Sequence, residues 1–407
     1  MQKEFRIWVR FSLGNLALVA CLGVLMRYKI GFEFPFFEQK NIQHAHSNFA
    51  FTGWISHSLF TFICYSYWQE FSTEVQRRFI KLINANLIFA FGLLISFFVQ
   101  GYGYFSISFT ILSILTAILF AATFFSVVKD LAPNASTKWI QAGLVFNLVS
   151  SVGTFFIIYM MLTKTLKQEI YLACEYLYLH FQYNGWFFFA CVGLFIGFLS
   201  KNGLVLGDKM VYKGMVFACV PAFFLSALWM KLPGWIYWLT VLATMIQFLS
   251  WLKFLQLIYL NLDKFRLKFS KYLNLFFILA GMAVSIKLML QLGSTIPEIS
   301  KLAFGFRPIV IAYLHLVLLG AITIFLIAYG YSIRIIPETK LSHAGLLIFV
   351  SGVLLNELVL MIQGIASFRY FAVPYVNQVL FIVALIILSG LIMVLISKFK
   401  NKKVNSK

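Results

Sequence analysis

Apolar runs long enough to cross a lipid bilayer follow one another along this chain with only short breaks, and that feature limits its fold more than any other. A hydrocarbon core about 30 Å thick takes roughly 20 apolar residues of helix to span. Of the 407 residues, 61% are apolar and only 11% are charged, against about a quarter charged in a water-soluble domain. The chain therefore reads as an all-α, polytopic integral membrane bundle. A net charge of +20 would point to nucleic acid in a soluble protein. Here the basic residues sit in short tracts between apolar runs, where they act as topology signals, so the partner is the lipid bilayer and nucleic acid is excluded.

Setting the runs against their breaks gives twelve transmembrane helices in one domain covering residues 1–407. They lie at about 5–26, 45–68, 79–100, 104–129, 139–163, 171–199, 213–231, 235–260, 272–293, 308–330, 341–366 and 373–397. The breaks carry turn chemistry: Gly101 with Gly103, Pro133 with Asn134, Asn202 with Gly203, Pro233 with Gly234, then Pro297, Pro337 and Pro374. The five cysteines lie inside apolar runs and form no CxxC or CxxCH pair, so they read as packing residues. The opening MQKEFRIWVR lacks a small-residue cleavage site before the next basic cluster, so a retained first helix is expected. With twelve spans both termini share a side. Most of the 33 Lys and Arg residues, from Lys3, Arg6 and Arg10 through Arg266 and Lys268 to the lysines from Lys398 onward, fall on that side. The positive-inside rule then makes both termini cytoplasmic in an inner-membrane protein, with even-numbered spans running from outside to inside.

Histidine placement is the most informative feature. His46 begins the second span, His180 lies about nine residues into the sixth, and His315 about seven into the tenth. All three enter from outside and share a layer roughly 2 to 14 Å below the outer boundary, at 1.5 Å per residue. A polar ring in hydrocarbon is costly unless paired, which makes each a functional candidate. Such a layer suits a haem held edge-on between helices, because its iron takes axial ligands from opposite faces of the porphyrin. Gly53 lies seven residues after His46, about 20° short of two turns and so on the same face. Gly185 and Gly320 each follow a histidine by five residues, about 140° away, and lend less to the approach of a flat ring. His44 reads equally as a headgroup-facing residue or a metal ligand. His57, about 16 Å deeper than His46, is expected to bond a Ser or Thr of a neighbouring helix, and His343 to cap or face the cytoplasmic surface.

These residues resemble a known family. Twelve helices with histidines on the second, sixth and tenth look like the catalytic subunit of the haem-copper oxidase superfamily, particularly its nitric-oxide-reductase and cbb3-like branches. HAHSNFAFTGW resembles the low-spin haem segment, HFQYNGWFF the segment carrying one ligand of the second metal, and YLHLVLLGAI the haem-ligand helix. The resemblance implies a haem-copper oxidase subunit I-like fold, with His46 and His315 as axial ligands of a low-spin b-type haem. It makes His180 a remnant of the second metal site, where copper or non-haem iron would bind. The departures are as specific. The seventh span, GMVFACVPAFFLSALWM, has no histidine where the family has an adjacent pair, and Tyr313 stands where a high-spin haem ligand is expected. An oxidoreductase acting on oxygen or nitric oxide would need replacement ligands, such as Tyr313, Tyr183 or Asn184. A second resemblance is to the NnrS family of twelve-helix proteins, linked to nitric-oxide tolerance and holding haem and copper. Its HxH element matches His44 and His46, and a later pattern matches His315 with His343 to Gly345. Together the resemblances imply nitric-oxide response or respiratory electron transfer, with a redox partner subunit or a quinol or cytochrome donor.

Two charges fall in the outer halves of spans, Lys287 in the ninth and Glu357 in the eleventh. Each costs about 2.5 to 3.5 kcal/mol or more if unpaired in lipid, so they are expected to pair with each other or face a polar cavity or a haem propionate. Arg307 and Arg369 are the outer-side candidates for propionates through bidentate contacts. The family resemblance favours Arg369. The alternative is a proton-coupled secondary transporter without haem, with the histidines and Glu357 along its path. That reading predicts a six-plus-six repeat, whereas the candidate histidines recur every four helices.

Overall fold

The computed structural model describes residues 2–32, 34–230, 232–264, 270–337 and 339–397. Arg266, Lys268 and the lysines from Lys398 onward lie outside the described residues. Among the described residues the secondary structure is entirely helical. Ten helices are long and apolar enough to cross a membrane: α1 (Gln2–Gly31), α3 (Thr73–Gln100), α4 (Tyr104–Val128), α5 (Ala135–Leu162), α6 (Gln168–Lys201), α8 (Gly234–Tyr259), α9 (Lys271–Gly293), α10 (Arg307–Ser332), α11 (Lys340–Phe368) and α12 (Val376–Ile396). The bent pair Lys209–Cys219 and Pro221–Ala227, here α7, makes an eleventh if taken as one span. The remaining expected span is α2, residues 39–67, helical throughout but opening on the polar stretch QKNIQHAHSNF.

Most helix ends fall at the expected breaks because a side chain or a glycine stops them there. Asn134 Oδ1 accepts the Thr137 amide at 2.7 Å to start α5, and Asp208 caps the first turn of α7. Gly101 ends α3 at φ 66°, a conformation that favours glycine. The seventh span departs from a single helix over 213–231. Pro221 lacks an N–H and its ring crowds the preceding turn, so the chain tightens into a 3₁₀ turn bent by 40°.

Three helices change geometry partway along their length. α2, α6 and α10 switch from α to π winding over Ala50–Ser56, Phe181–Phe187 and Leu316–Thr323. Each switch follows a candidate histidine, directly for His180 and His315 and four residues after His46. The π segments are tied together. Trp54 Nε1 donates to Thr323 Oγ1 at 2.9 Å, and Trp186 Nε1 to Ser56 Oγ at 3.1 Å. The glycines within them face protein side chains. A Cβ on Gly185 would lie 2.5 Å from Phe146 Cβ on α5, one on Gly53 would run into the Phe49 ring, and one on Gly320 would touch Ala283 of α9. The main apolar core lies on the side of the π segments toward the chain termini, where Phe60 stacks on Phe120 and Phe62 packs against Tyr329.

Candidate functional site

The opposite end of the bundle carries the 101–103 turn, and we call it the outer end, following the charge bias. His46 and His315 sit there, each orienting its ring in the same way. His46 Nδ1 lies 3.0 Å from Val19 O of α1, and His315 Nδ1 lies 2.8 Å from Ile311 O, one turn back on its own helix. A carbonyl can only accept, so in both rings Nδ1 carries the proton and Nε2 keeps its lone pair. That is the tautomer of a metal-ligating histidine held by a backbone partner. The two imidazoles are within electrostatic reach of each other. Both are only partly buried, whereas the π segment beyond His315 holds mostly buried side chains.

α1 supplies features that sequence reasoning missed. Val19, Gly23 and Arg27 recur every four residues and so share one face. Val19 O accepts the hydrogen bond from His46 Nδ1, and Gly23 lies against the ring, where a Cβ would make an ordinary contact with His46 Cε1 at 3.6 Å and a longer side chain would not fit. Arg27 lies within electrostatic reach of both histidines. The four-residue recurrence was the available signal. At the rim, Arg307 Nη2 donates to Gln43 Oε1 at 2.8 Å, pinning the start of α10 to the turn of α2 before His46. Arg369 is exposed at the end of α11.

The remaining histidines take other partners. His180 Nε2 lies 2.9 Å from Cys219 O, and its Nδ1 lies 3.0 Å from Asn184 Nδ2. The break at Pro221 explains the first bond: Phe223 N bonds Val220 O, leaving Cys219 O for the imidazole. As oriented, neither His180 nitrogen offers a lone pair to a metal. His44 sits two residues from His46, a spacing that puts them on opposite faces of a helix. Its ring packs edge-on against Tyr102 at 4.8 Å, and its buried Nε2 has no partner among the described residues. The two histidines of the HxH element therefore do not converge. His57 is fully buried with both ring nitrogens unpartnered among the described residues, so the expected bond to a Ser or Thr is not made. His343 stacks on Tyr272 at 4.9 Å and lies near Tyr331.

Tyr313 packs against Tyr183, their rings 6.1 Å apart in an edge-to-face contact. Lys287 and Glu357 do not form an ion pair. The ammonium of Lys287 lies over the Phe188 ring at 5.9 Å, while Glu357 accepts from Asn356 at 3.1 Å. Among the described residues no three His, Cys, Asp or Glu side chains gather to hold a metal ion. A copper or non-haem iron held by protein donors alone does not fit that set. A haem asks less of the chain, because the porphyrin supplies four nitrogens and the protein only axial ligands. No family model and no curated protein matches this sequence.

Proposed function

We propose that the chain is a twelve-span, haem-copper oxidase subunit I-like or NnrS-like protein of the cytoplasmic membrane that binds one b-type haem through His46 and His315. The observation that carries this reading is the shared tautomer: two imidazoles within reach of each other, each with Nδ1–H fixed on a backbone carbonyl and with no hydrogen bond to Nε2 among the described residues. When bound, the haem would supply one-electron chemistry. The chain's own residues hold and shape its site. Val19 and Ile311 fix the ring tautomers, and Gly23 leaves the His46 ring its place. Arg27 and the rim residues Arg307 and Arg369 are the cations placed to pair with carboxylates, the last two beside each other where Tyr370 packs on Phe306 at 5.7 Å. The edge-to-face contact of Tyr313 with Tyr183, the two bonds of His180 and the lack of a three-donor cluster among the described residues favour electron transfer or nitric-oxide response over turnover at a second metal. A quinol, a cytochrome or a redox partner subunit would donate the electron.

Purified protein is expected to show the reduced-minus-oxidised spectrum of a bis-histidine haem, and both His46→Ala and His315→Ala are expected to lose it. An unchanged spectrum in either variant removes the ligand assignment. A haem-free preparation that moves a solute across liposomes would favour the transporter instead.

A further inference from the structure

A second polar region lies on the other face of α2, away from His46. His44, Asn48, Thr52 and Ser56 recur every four residues and form a stripe down the helix. They line a cavity of about 160 Å³ enclosed by α2, α3, α4, α5 and α6. The facing helices are polar there too: Thr110 and Ser113 on α4, Asn147, Ser151 and Thr154 on α5. Such groups in a membrane bundle call for hydrogen-bond partners. The protein supplies few across the space. Asn48 and Thr52 bond carbonyls one turn back on their own helix, as do Thr110 and Ser151, and the buried His44 Nε2 has no partner among the described residues.

The cavity has a mouth and a floor. Its outer end reaches His44, Glu175 and Tyr102, the last beside the 101–103 turn and 39% exposed. Lys40 lies within electrostatic reach of both His44 and Glu175. Its inner end closes on Phe60, one turn past the π segment of α2, beside the point where Gln182 Nε2 donates to Asn147 Oδ1 and Ser150 Oγ, both at 2.8 Å, and Ser56 accepts from Trp186. At roughly 30 Å³ per molecule the volume holds about five waters. We propose that this space is a water-filled inlet, open at the outer end and blind just past the π layer, which keeps the aqueous phase in contact with the interior of the bundle. Water suits the lining because each molecule donates two hydrogen bonds to a wall that presents mostly acceptors. The inlet rests on the cavity and its lining, not on the haem, and its test reads haem-free and haem-loaded protein alike.

Hydroxyl-radical footprinting of the full chain in lipid nanodiscs, after brief mixing with heavy-oxygen water, tests the proposal. Phe51 lines the cavity and Phe62 lies in the inner core, 5% and 2% exposed, so the two rings have equal intrinsic reactivity and similar burial. Phe51 is expected to oxidise at least tenfold faster than Phe62 and to carry the heavy isotope. Ser151→Leu, which fills the cavity, is expected to bring Phe51 down to the rate of Phe62. Equal rates in the unaltered chain overturn the proposal, since no water is then held there. Fast oxidation with only the ordinary isotope overturns it too, since the water is then sealed from the bulk.

Discussion

The outer and inner halves of α6 and α10 run along the same helices and share little else. In the inner halves every residue from Phe188 to Leu194 and from Ile324 to Tyr331 is buried, and Phe62 of α2 packs against Tyr329 of α10 with ring centres 5.1 Å apart. In the outer halves Arg307–His315 contains no buried residue, and Gln168–His180 only His180. The π segments form the boundary, bonded through Trp54 to Thr323 and Trp186 to Ser56. Beyond it lie the oriented imidazoles, Arg27, Tyr313 and most of the polar cavity. The inner halves are completed by their own side chains, while the outer halves keep their side chains more open. A π turn alters the winding and re-aims side chains without breaking the helix, and such turns occur often at functional sites.

If that division holds, the two halves answer substitution in different currencies. Phe60 is 1% exposed and stacks on Phe120 at 4.0 Å, so Phe60→Ala removes packing from a core that cannot fully collapse. A loss of about 3–5 kcal/mol is expected in denaturant unfolding, with an unaltered haem spectrum in the fraction that remains folded. A spectrum that changes in folded protein would show that the core also shapes the outer site. Gly23→Leu is the converse. A single Cβ at position 23 makes an ordinary contact with the His46 ring, so Gly23→Ala is expected to be tolerated. The three further carbons of leucine displace the ring from Val19 O, and haem content is expected to fall tenfold or more, equivalent to about 1.4 kcal/mol. Unfolding should move by less than about 1 kcal/mol. Full haem loading in Gly23→Leu would remove α1 from the site.

Hydropathy revealed the spans and their breaks because burial in lipid fixes residue type over long windows, and the three histidines stood out for the same reason. The π winding was not legible. An amide bonded five residues back instead of four leaves the same apolar composition, so FQYNGWF and LVLLGAIT look like ordinary membrane helix. Assuming α winding also misassigned the glycines, which turned out to face Phe49, Phe146 and Ala283. Gly23 lay in a first span with no histidine and Arg27 just past its expected end at residue 26, and only the three-dimensional approach of His46 gives them a role. His180 shared the depth of the other histidines, but depth carries no information about which carbonyl a distant proline will free.

The boundary itself is open to a smaller test. Trp54 donates its indole N–H to Thr323 in a buried link between two π segments. Trp54→Phe is expected to cost about 1 kcal/mol, the usual net worth of such a bond with some unmet acceptor capacity added. In a double-mutant cycle with Thr323→Val, a coupling of about 0.5–1.5 kcal/mol is expected, since the two positions share one interaction. Additive effects would mean that the π segments are held by packing alone and that the boundary is not a bonded unit.

The smallest expected effect lies at the inner end of α7, far from either polar region, and serves as the baseline for the others. Asp208 accepts the Met210 and Val211 amides at 2.7 and 3.0 Å and meets Lys253 Nζ at 2.8 Å. The ammonium and the two backbone N–H groups hold its carboxyl below the usual range, which begins from about 3.9 in an unfolded chain. A depressed carboxylate adds stability above its unfolded value and loses it as pH falls through its folded value. Asp208→Ala is therefore expected to destabilise by about 1 kcal/mol at neutral pH, mostly through the lost cap, because an exposed ion pair adds little. The difference from the unaltered chain should be constant from pH 7 down to about 4 and shrink below that. Haem content and the Phe51 oxidation rate should stay put across the same series; movement of either would tie the inner surface to the outer site and erase the division between the two halves.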